Sequence, residues 1–447
     1  MSTVVLCAAG PQLGSLQRLA ARLEEELRKS GREEIRWFEL SAMKLAYCQG
    51  EFDCWVKTPG QCRARDAEGE IVAAIHEAED LVLLDGVTFG GYSYALKRAQ
   101  DRLICLLSPF FEKRAALTHH AGRYGRTANL FALGWMPVVD PEVAKTWSEL
   151  ADANALNLLA PRVGAAVVDD RGEAEWPAAI RKVLSSTAKP GASITGREPL
   201  RQELFAAAAG APMTGEGKPP KRAALVIGSA KIKGTSVSET MARALAARLN
   251  QAGVSTEIHF AVEFLHEEKA LATARGIAEA DLLVLVTPLY VDSFPALATR
   301  MLESVARVRA GSGASGSGRF ALVVNCGFPE AEHNRTVLRM ARHFAESAGY
   351  EWAGGLPLGG GGAINPGAPL DAQRGPAEHV KRALDGAAAS WARGAGVATE
   401  AIEAMAKAPM PDAIYRLMGD LGWRYQAHKH GLAQSELRAR PLESGGE

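Results

Sequence analysis

The chain has 447 residues, 47% apolar and 23% charged, and its 51 Lys and Arg balance its 51 Asp and Glu. That length suffices for two domains with separate cores, and zero net charge offers no electrostatic footprint for nucleic acid or an anionic membrane. No apolar run approaches the roughly 20 residues that span a bilayer, and Met1 to Gly10 reads as a strand rather than a leader peptide. A cytoplasmic protein without nucleic-acid or membrane partners is expected.

In chain order, the apolar run within Thr3 to Ala8 predicts a first strand, and Gly10, Pro11 and Gly14 a loop. Leu16, Leu19, Leu23 and Leu27 recur at helical spacing and predict an amphipathic helix over 15–29, with Gly31 just past its end. A strand at 35–39, a helix at 70–77 and a strand at 81–84 follow. The order restarts at Ala223: a strand over 223–227, a loop over 228–236, a helix over 237–251, and strands at 255–260, 282–286 and 320–324. Continuous apolar strands alternating with amphipathic helices predict an α/β protein with two tandem three-layer domains, each built on a five-stranded parallel sheet. The expected boundaries are 1–187 for the first domain, 188–220 for a Pro-rich linker with a short helix over 200–209, and 221–395 for the second domain. Residues 396–447 read as a helical appendage and polar tail, packing on the second domain or on a partner. Gly311 to Gly318 is Gly/Ser-rich and predicts a mobile loop.

The loop at 228–236 lies between a strand and a helix, at the carboxyl edge of a parallel sheet, where ligands of open α/β folds bind. A helix N-terminus there attracts anions. Ser229, Thr235, Ser236 and Ser238 add hydroxyls, Lys231 and Lys233 add charge, and Gly228 and Gly234 allow close approach. Neither Gly-x-x-x-x-Gly-Lys-Ser/Thr nor Gly-x-Gly-x-x-Gly is present, so the loop suits an FMN monophosphate better than a triphosphate. The alternative is that these hydroxyls only cap the helix. In the first domain Ala8 to Ser15 brings one hydroxyl and no cation, and Pro11 lacks an N–H, so capping is the preferred reading there.

Several stretches have a wider likeness. In the first domain they are Cys48-Gln-Gly-Glu-Phe-Asp-Cys54-Trp-Val-Lys-Thr-Pro-Gly-Gln-Cys62 with Asp66, then Thr88-Phe-Gly-Gly-Tyr-Ser93 with Leu96-Lys97 and Asp101-Arg102, and His119-His120 with Arg123-Tyr124. In the second they are the 228–238 loop, Thr287-Pro-Leu-Tyr290, Asn325-Cys-Gly-Phe-Pro-Glu330 and Gly359 to Gly362, followed by the tail from Trp423 to Pro441. With these the chain resembles the flavodoxin-like NAD(P)H-dependent FMN reductases, a group that includes iron–sulfur flavoproteins. The resemblance implies two fused flavodoxin-like domains, with FMN as cofactor and NAD(P)H as co-substrate. It places the FMN phosphate on Ser229, Lys231, Thr235, Ser236 and Ser238. The ring lies against Pro288, Leu289, Tyr290 and Val291, with Asn325, Cys326 and Gly327 along its other edge. The implied activity passes electrons from a reduced nicotinamide through flavin to a quinone, free flavin or other small acceptor. A flavodoxin-type electron carrier without its own NAD(P)H turnover is the alternative. A homodimer and an intramolecular pseudo-dimer of the two domains both fit the resemblance. No catalytic acid or base is named, because the cofactor carries the chemistry.

Iron–sulfur relatives carry a fourth thiolate where this chain has Glu51, between Cys48 and Cys54 and ahead of Cys62. A cubane normally needs four thiolates, so no iron–sulfur cluster is expected. Three thiolates and a carboxylate could still hold iron or zinc, and redox-active thiols are a third reading. A loop packed by Trp55 and Pro59 is preferred. His119 and His120, read as loop residues, are too differently aimed to chelate one ion, and one could face a pocket. Lys97 and Arg102 are expected to anchor their helix, His333 to be exposed, and Tyr92 either to cover a flavin or to fill a packed interface.

Overall fold

The computed structural model describes residues 1–9, 14–210, 217–312 and 318–443. Its contacts divide the chain into two compact units: residues 1–195 with 416–447, and residues 196–415.

Unit 1 holds β1 (Ser2–Cys7), β2 (Glu34–Glu39), β3 (Asp80–Gly86), β4 (Leu107–Arg114), β5 (Leu117–Gly122), β6 (Asn129–Trp135) and β7 (Val163–Val168). Five of these pair in the order β2-β1-β3-β6-β7, all parallel. The helix Gly14–Lys29 buries Leu16, Leu19, Leu23 and Leu27 against Val5, Cys7, Val82 and Leu84. Each such leucine contributes roughly 1.5–3 kcal/mol by leaving water, which is why the helical spacing was readable. Trp176 and Ile180 of the helix Trp176–Leu184 close the same cluster.

Strands β4 and β5 form an antiparallel hairpin inserted between β3 and β6. Its turn places Ala115 and Ala116 at φ 46° and 68°. Two alanines carry none of the Asn-Gly signal of such turns, so no local residue pattern announces it. His119 and His120 are therefore strand residues rather than loop residues, and they point to opposite faces. His119 Nδ1 lies 2.8 Å from Asn157 Oδ1, and the His120 ring packs 4.4 Å from Trp55 and 5.1 Å from Phe111.

Trp55 and Arg102 hold the Cys/Trp segment in place. Trp55 is fully buried, and its indole N–H donates to Leu107 O at 3.0 Å and Ile104 O at 3.3 Å. Arg102 pins the segment by donating to Asp66 Oδ2 at 2.7 Å, to Glu68 at 3.5 Å, and to the carbonyls of Ala46 and Ala64. Lys97 pairs with Asp101 at 2.8 Å, both buried, and so anchors its helix. Burial raises the thiols of Cys48 and Cys62 above their ordinary range. All six cysteines are free. Among the described residues, no three His, Cys, Asp or Glu side chains are grouped to hold a metal ion.

The C-terminal tail differs from expectation. Residues 416–443 group with unit 1, where the sequence reading takes 396–447 as one appendage. The reason is apolar: Trp423 sits 5.2 Å from both Phe52 and Trp55, while Ala427 and Leu437 are fully buried with Phe110. Arg123 fixes the end by donating to Leu437 O and Ala439 O. Residues 444–447 lie outside the described residues.

Unit 2 holds β8 (Arg222–Ile227), β9 (Ser255–Phe260), β10 (Leu282–Pro288), β11 (Arg319–Asn325) and β12 (Glu351–Leu358). They pair in the order β9-β8-β10-β11-β12, all parallel. Numbered within each unit, both sheets run 2-1-3-4-5, the flavodoxin-like order with its switch point between strands 1 and 3. Twelve residues of the expected 188–220 linker are helical: Arg197–Ala208 buries Leu200 and Leu204 within unit 2. Pro212 and residues 313–317 of the Gly/Ser stretch lie outside the described residues. No described helix is long and apolar enough to cross a membrane.

Candidate functional site

The site follows from where the strands end. Beyond β8 the chain turns at Gly228, whose N–H donates to Val286 O at 2.8 Å. A Cβ there would come within 2.5 Å of Thr287 Oγ1, so only glycine lets β8 and β10 lie this close. The loop then climbs to the helix Val237–Gln251, with Ser236 as N-cap accepting from Glu239 N at 3.1 Å. The N–H groups of Val237 and Ser238 open this helix and have no intrahelical acceptor. Ser229 Oγ accepts from Lys231 N at 3.3 Å, which leaves its own proton available to a ligand.

Two of the expected phosphate hydroxyls already have acceptors. Thr235 Oγ1 donates to Ile232 O at 2.6 Å, and Ser238 Oγ donates to Asn325 Oδ1 at 3.0 Å. The second bond ties the first helix of the unit to the end of β11, bringing a phosphate-loop residue and a ring-edge residue together. Lys233 stacks 4.1 Å over the Phe260 ring.

Glu239 is a member of this loop that the sequence reading missed. It is buried, and its carboxylate accepts from Gly234 N at 2.6 Å and from Arg243 at 2.7 and 2.9 Å. The signal was available as Ser236-x-x-Glu239, the spacing of a capping box.

After β10 the chain makes a two-residue turn. Tyr290 and Ser293 exchange backbone hydrogen bonds at 3.0 and 3.1 Å around Val291 and Asp292, which stand at φ 50° and 58°. A β-branched residue in that region is strained, and such strain is held where surrounding structure enforces it. Leu289 N donates to Asn325 O at 2.8 Å, so the two expected ring-contact loops are laced together.

Beyond β11, Cys326 is buried with its Sγ 3.2 Å from Phe328 O and 3.4 Å from Glu330 O. Burial pushes its thiol up to about 12, so it stays protonated and serves as a packed donor. His333 is buried, not exposed as expected: it lies 3.7 Å from Asp292 and 3.9 Å from Glu330 and stacks on Phe328. The glycine run closes behind this loop, where a Cβ at Gly359 would fall 2.4 Å from Pro329 O. Tyr415, also missed, donates from its hydroxyl to Gly327 O at 2.8 Å. It lies far along the sequence from every other member, and no local pattern marks it.

The matching edge of unit 1 has different chemistry. Ser15 donates to Asp170 Oδ2 at 2.7 Å, and the Trp135 indole donates to Asp170 Oδ1 at 3.0 Å. Trp135 pairs with Gly86 as Asn325 pairs with Pro288, so an indole takes the register position of the amide. Asp85 likewise stands where unit 2 has Thr287, and it accepts from Ser93 N at 2.7 Å. Carboxylates at this edge disfavour a phosphate. Tyr92 is fully buried, edge-on to Trp147 at 5.0 Å, which makes it a packing residue. Gly10 and Pro11 lie outside the described residues.

Residues 222–351 match the sequence model of the NADPH-dependent FMN reductase family. No curated protein sequence is significantly similar to the chain. Similar solved structures include a flavodoxin of Streptococcus pneumonia TIGR4, with 18% identity, covering 38% of this chain and 97% of that one at a TM-score of 0.27. An azoreductase of Bacillus anthracis str. Sterne has 16% identity, 39% and 99% coverage and a TM-score of 0.29. An NAD(P)H:quinone oxidoreductase of Methanothermobacter marburgensis has 16% identity, 39% and 96% coverage and a TM-score of 0.28. The matched segment runs from the first strand of unit 2, through its hydroxyl-rich loop, to the start of its last strand, and over that segment this chain is similar to the NADPH-dependent FMN reductase family.

Proposed function

We propose that unit 2 binds FMN at the carboxyl edge of its sheet and that the chain is an NAD(P)H-dependent oxidoreductase delivering electrons to a small acceptor such as a quinone. The observation that carries this reading is the donor set at the helix Val237–Gln251. Two N–H groups without intrahelical acceptors, the Ser229 and Ser236 hydroxyls and the Lys231 ammonium suit a phosphate monoester. Thr235 and Ser238 then shape the loop, while Pro288 to Val291 and Asn325 to Gly327 flank the ring. FMN, when bound, supplies the group that takes hydride from a nicotinamide. The protein's part is to orient and shield: the strained 290–293 turn sets the ring wall, and the Ser238–Asn325 bond fixes its distance from the phosphate loop. The test is cofactor extraction from the purified chain followed by NADH and NADPH oxidation with a quinone. One FMN per chain and quinone-dependent turnover are expected. FMN-saturated protein without turnover would favour the electron-carrier reading, and failure to bind FMN would remove both.

Glu239 is expected to oppose the phosphate. Glu239→Gln keeps an acceptor for Gly234 N, removes a negative charge from the helix start and frees Arg243 from its pair. A charge at a helix N-terminus is worth roughly 0.5–1 kcal/mol, so FMN should bind about two- to five-fold tighter by fluorescence titration. Weaker binding would show instead that the loop depends on the charged brace.

A further inference from the structure

We infer that the outward face of the helix Asp412–Lys429, over Leu417 to Tyr425, is a contact surface for a second copy of this chain. This stretch of the helix is apolar on two faces. Its inner face packs within unit 1: Gly419 against Phe111, Trp423 against Phe52 and Trp55, and Ala427 fully buried. Its outer face carries Leu417, Met418, Leu421 and Tyr425, which are 61%, 57%, 56% and 69% exposed. A second apolar face on a helix whose first is already packed is more than a solvated surface helix needs. These four account for a large share of the exposed large apolar side chains among the described residues.

The spacing selects the occupant. Leu417, Leu421 and Tyr425 recur every four residues, with Met418 three before Leu421, which is the stripe one helix offers to another. Gly422 lies beside it with open space where a Cβ would stand, a hole for an incoming side chain. The stripe is also self-complementary. An antiparallel second copy with its two-fold axis at Leu421 sets Leu417 opposite Tyr425, and Leu421 against its own equivalent. A large apolar side chain presents on the order of 200 Å² when exposed, so the stripe offers roughly 500 Å² per copy. That is at the upper end of what a monomer exposes. Two copies together bury about 1,000 Å², where specific interfaces begin.

Analytical ultracentrifugation of the full chain at tens of micromolar tests this. The expected result is a species of twice 47.5 kDa that the Leu417→Glu/Leu421→Glu variant converts to one of 47.5 kDa with unchanged circular dichroism. Because charged variants could misfold, Leu421→Cys supplies a second measurement. Mild oxidation should join two chains through the new cysteine, while the wild type, oxidised in parallel, stays single on a non-reducing gel. A monomeric wild type, a dimer that survives the double substitution, or a monomer that instead binds anionic vesicles through this face would each overturn the inference.

Discussion

Acidification from pH 7 to pH 4 is expected to weaken unit 1 by about 2–3 kcal/mol through His120 alone. Burial among Trp55 and Phe111 pushes the imidazole down from 6.5 to about 3, and the charges of His119 and Arg114 add to this. The folded unit keeps a neutral ring, while the unfolded chain takes up a proton below 6.5. Stability from this group is therefore complete above pH 6.5 and is lost as pH falls towards 3, at about 1.4 kcal/mol per unit. The figure sits below the full span because part of the ring edge reaches solvent. Glu68 acts with the opposite sign. Burial raises its carboxyl from 4.5 to about 7 despite Arg102, so its contribution is complete below 4.5 and is lost as pH rises to 7. Between 4.5 and 6.5 the two slopes oppose each other, and the wild type should look nearly flat there before weakening below 4.5. His120→Phe, which keeps an aromatic ring in the stack, should lose stability with rising pH across that window, and Glu68→Gln should gain it. Hydrogen exchange of the β4 and β5 amides reads the local opening free energy directly. Equal pH profiles for wild type and His120→Phe would show that the ring is charged in the folded state.

What could be read in advance follows from physical range. The strand–helix alternation was legible because buried strands are uninterrupted apolar runs and the helix Gly14–Lys29 repeats leucine at turn spacing. The helix Val237–Gln251 and the strand Ser255–Phe260 were found residue for residue, since Ser236 and Gly253 punctuate them. The β4–β5 hairpin was not, because Ala115 and Ala116 adopt left-handed geometry that only the surrounding packing enforces. The grouping of the tail with unit 1 was out of reach for a related reason. Trp423 announces burial, but nothing local says that Phe52 and Trp55, near the other end of the chain, will receive it. At the site, the loop at 228–238 was legible as a donor-rich strand-to-helix turn. The internal partners that commit Thr235 and Ser238, and the approach of His333 and Tyr415, depend on chain crossings that no spacing encodes. Glu239 is a different kind of miss: its capping spacing was present, and its charge was overlooked in favour of the lysines.

The polar groups at the start of the helix Val237–Gln251 carry the strongest functional expectation. If the proposed site holds FMN, Lys231→Ala removes a charge-assisted bond to its phosphate, and Ser236→Ala removes both a donor and the N-cap of the helix Val237–Gln251. Hydrogen bonds to a charged group are worth roughly 1.5–3 kcal/mol, so each substitution should weaken FMN about ten-fold and the pair about a hundred-fold. Ser236→Ala should also cost about 1 kcal/mol of unit 2 stability as a lost cap. Riboflavin separates these effects. It carries the same ring but no phosphate, so under the proposed placement of the ring its dissociation constant should move less than two-fold in Lys231→Ala, by the same division of contacts. Ser236→Thr retains a cap and a hydroxyl and should restore most of the loss. Rising salt should weaken FMN in the wild type and do so less in Lys231→Ala, because an ion pair at a partly open loop is screened. Titrations in which FMN and riboflavin lose affinity together would mean that the loop acts only through folding. Titrations in which neither changes would place the phosphate elsewhere. A fall confined to FMN is what an anion held at the helix start requires, and it would establish by measurement that the two matching sheet edges have diverged into a phosphate-binding edge in unit 2 and a carboxylate-lined edge in unit 1.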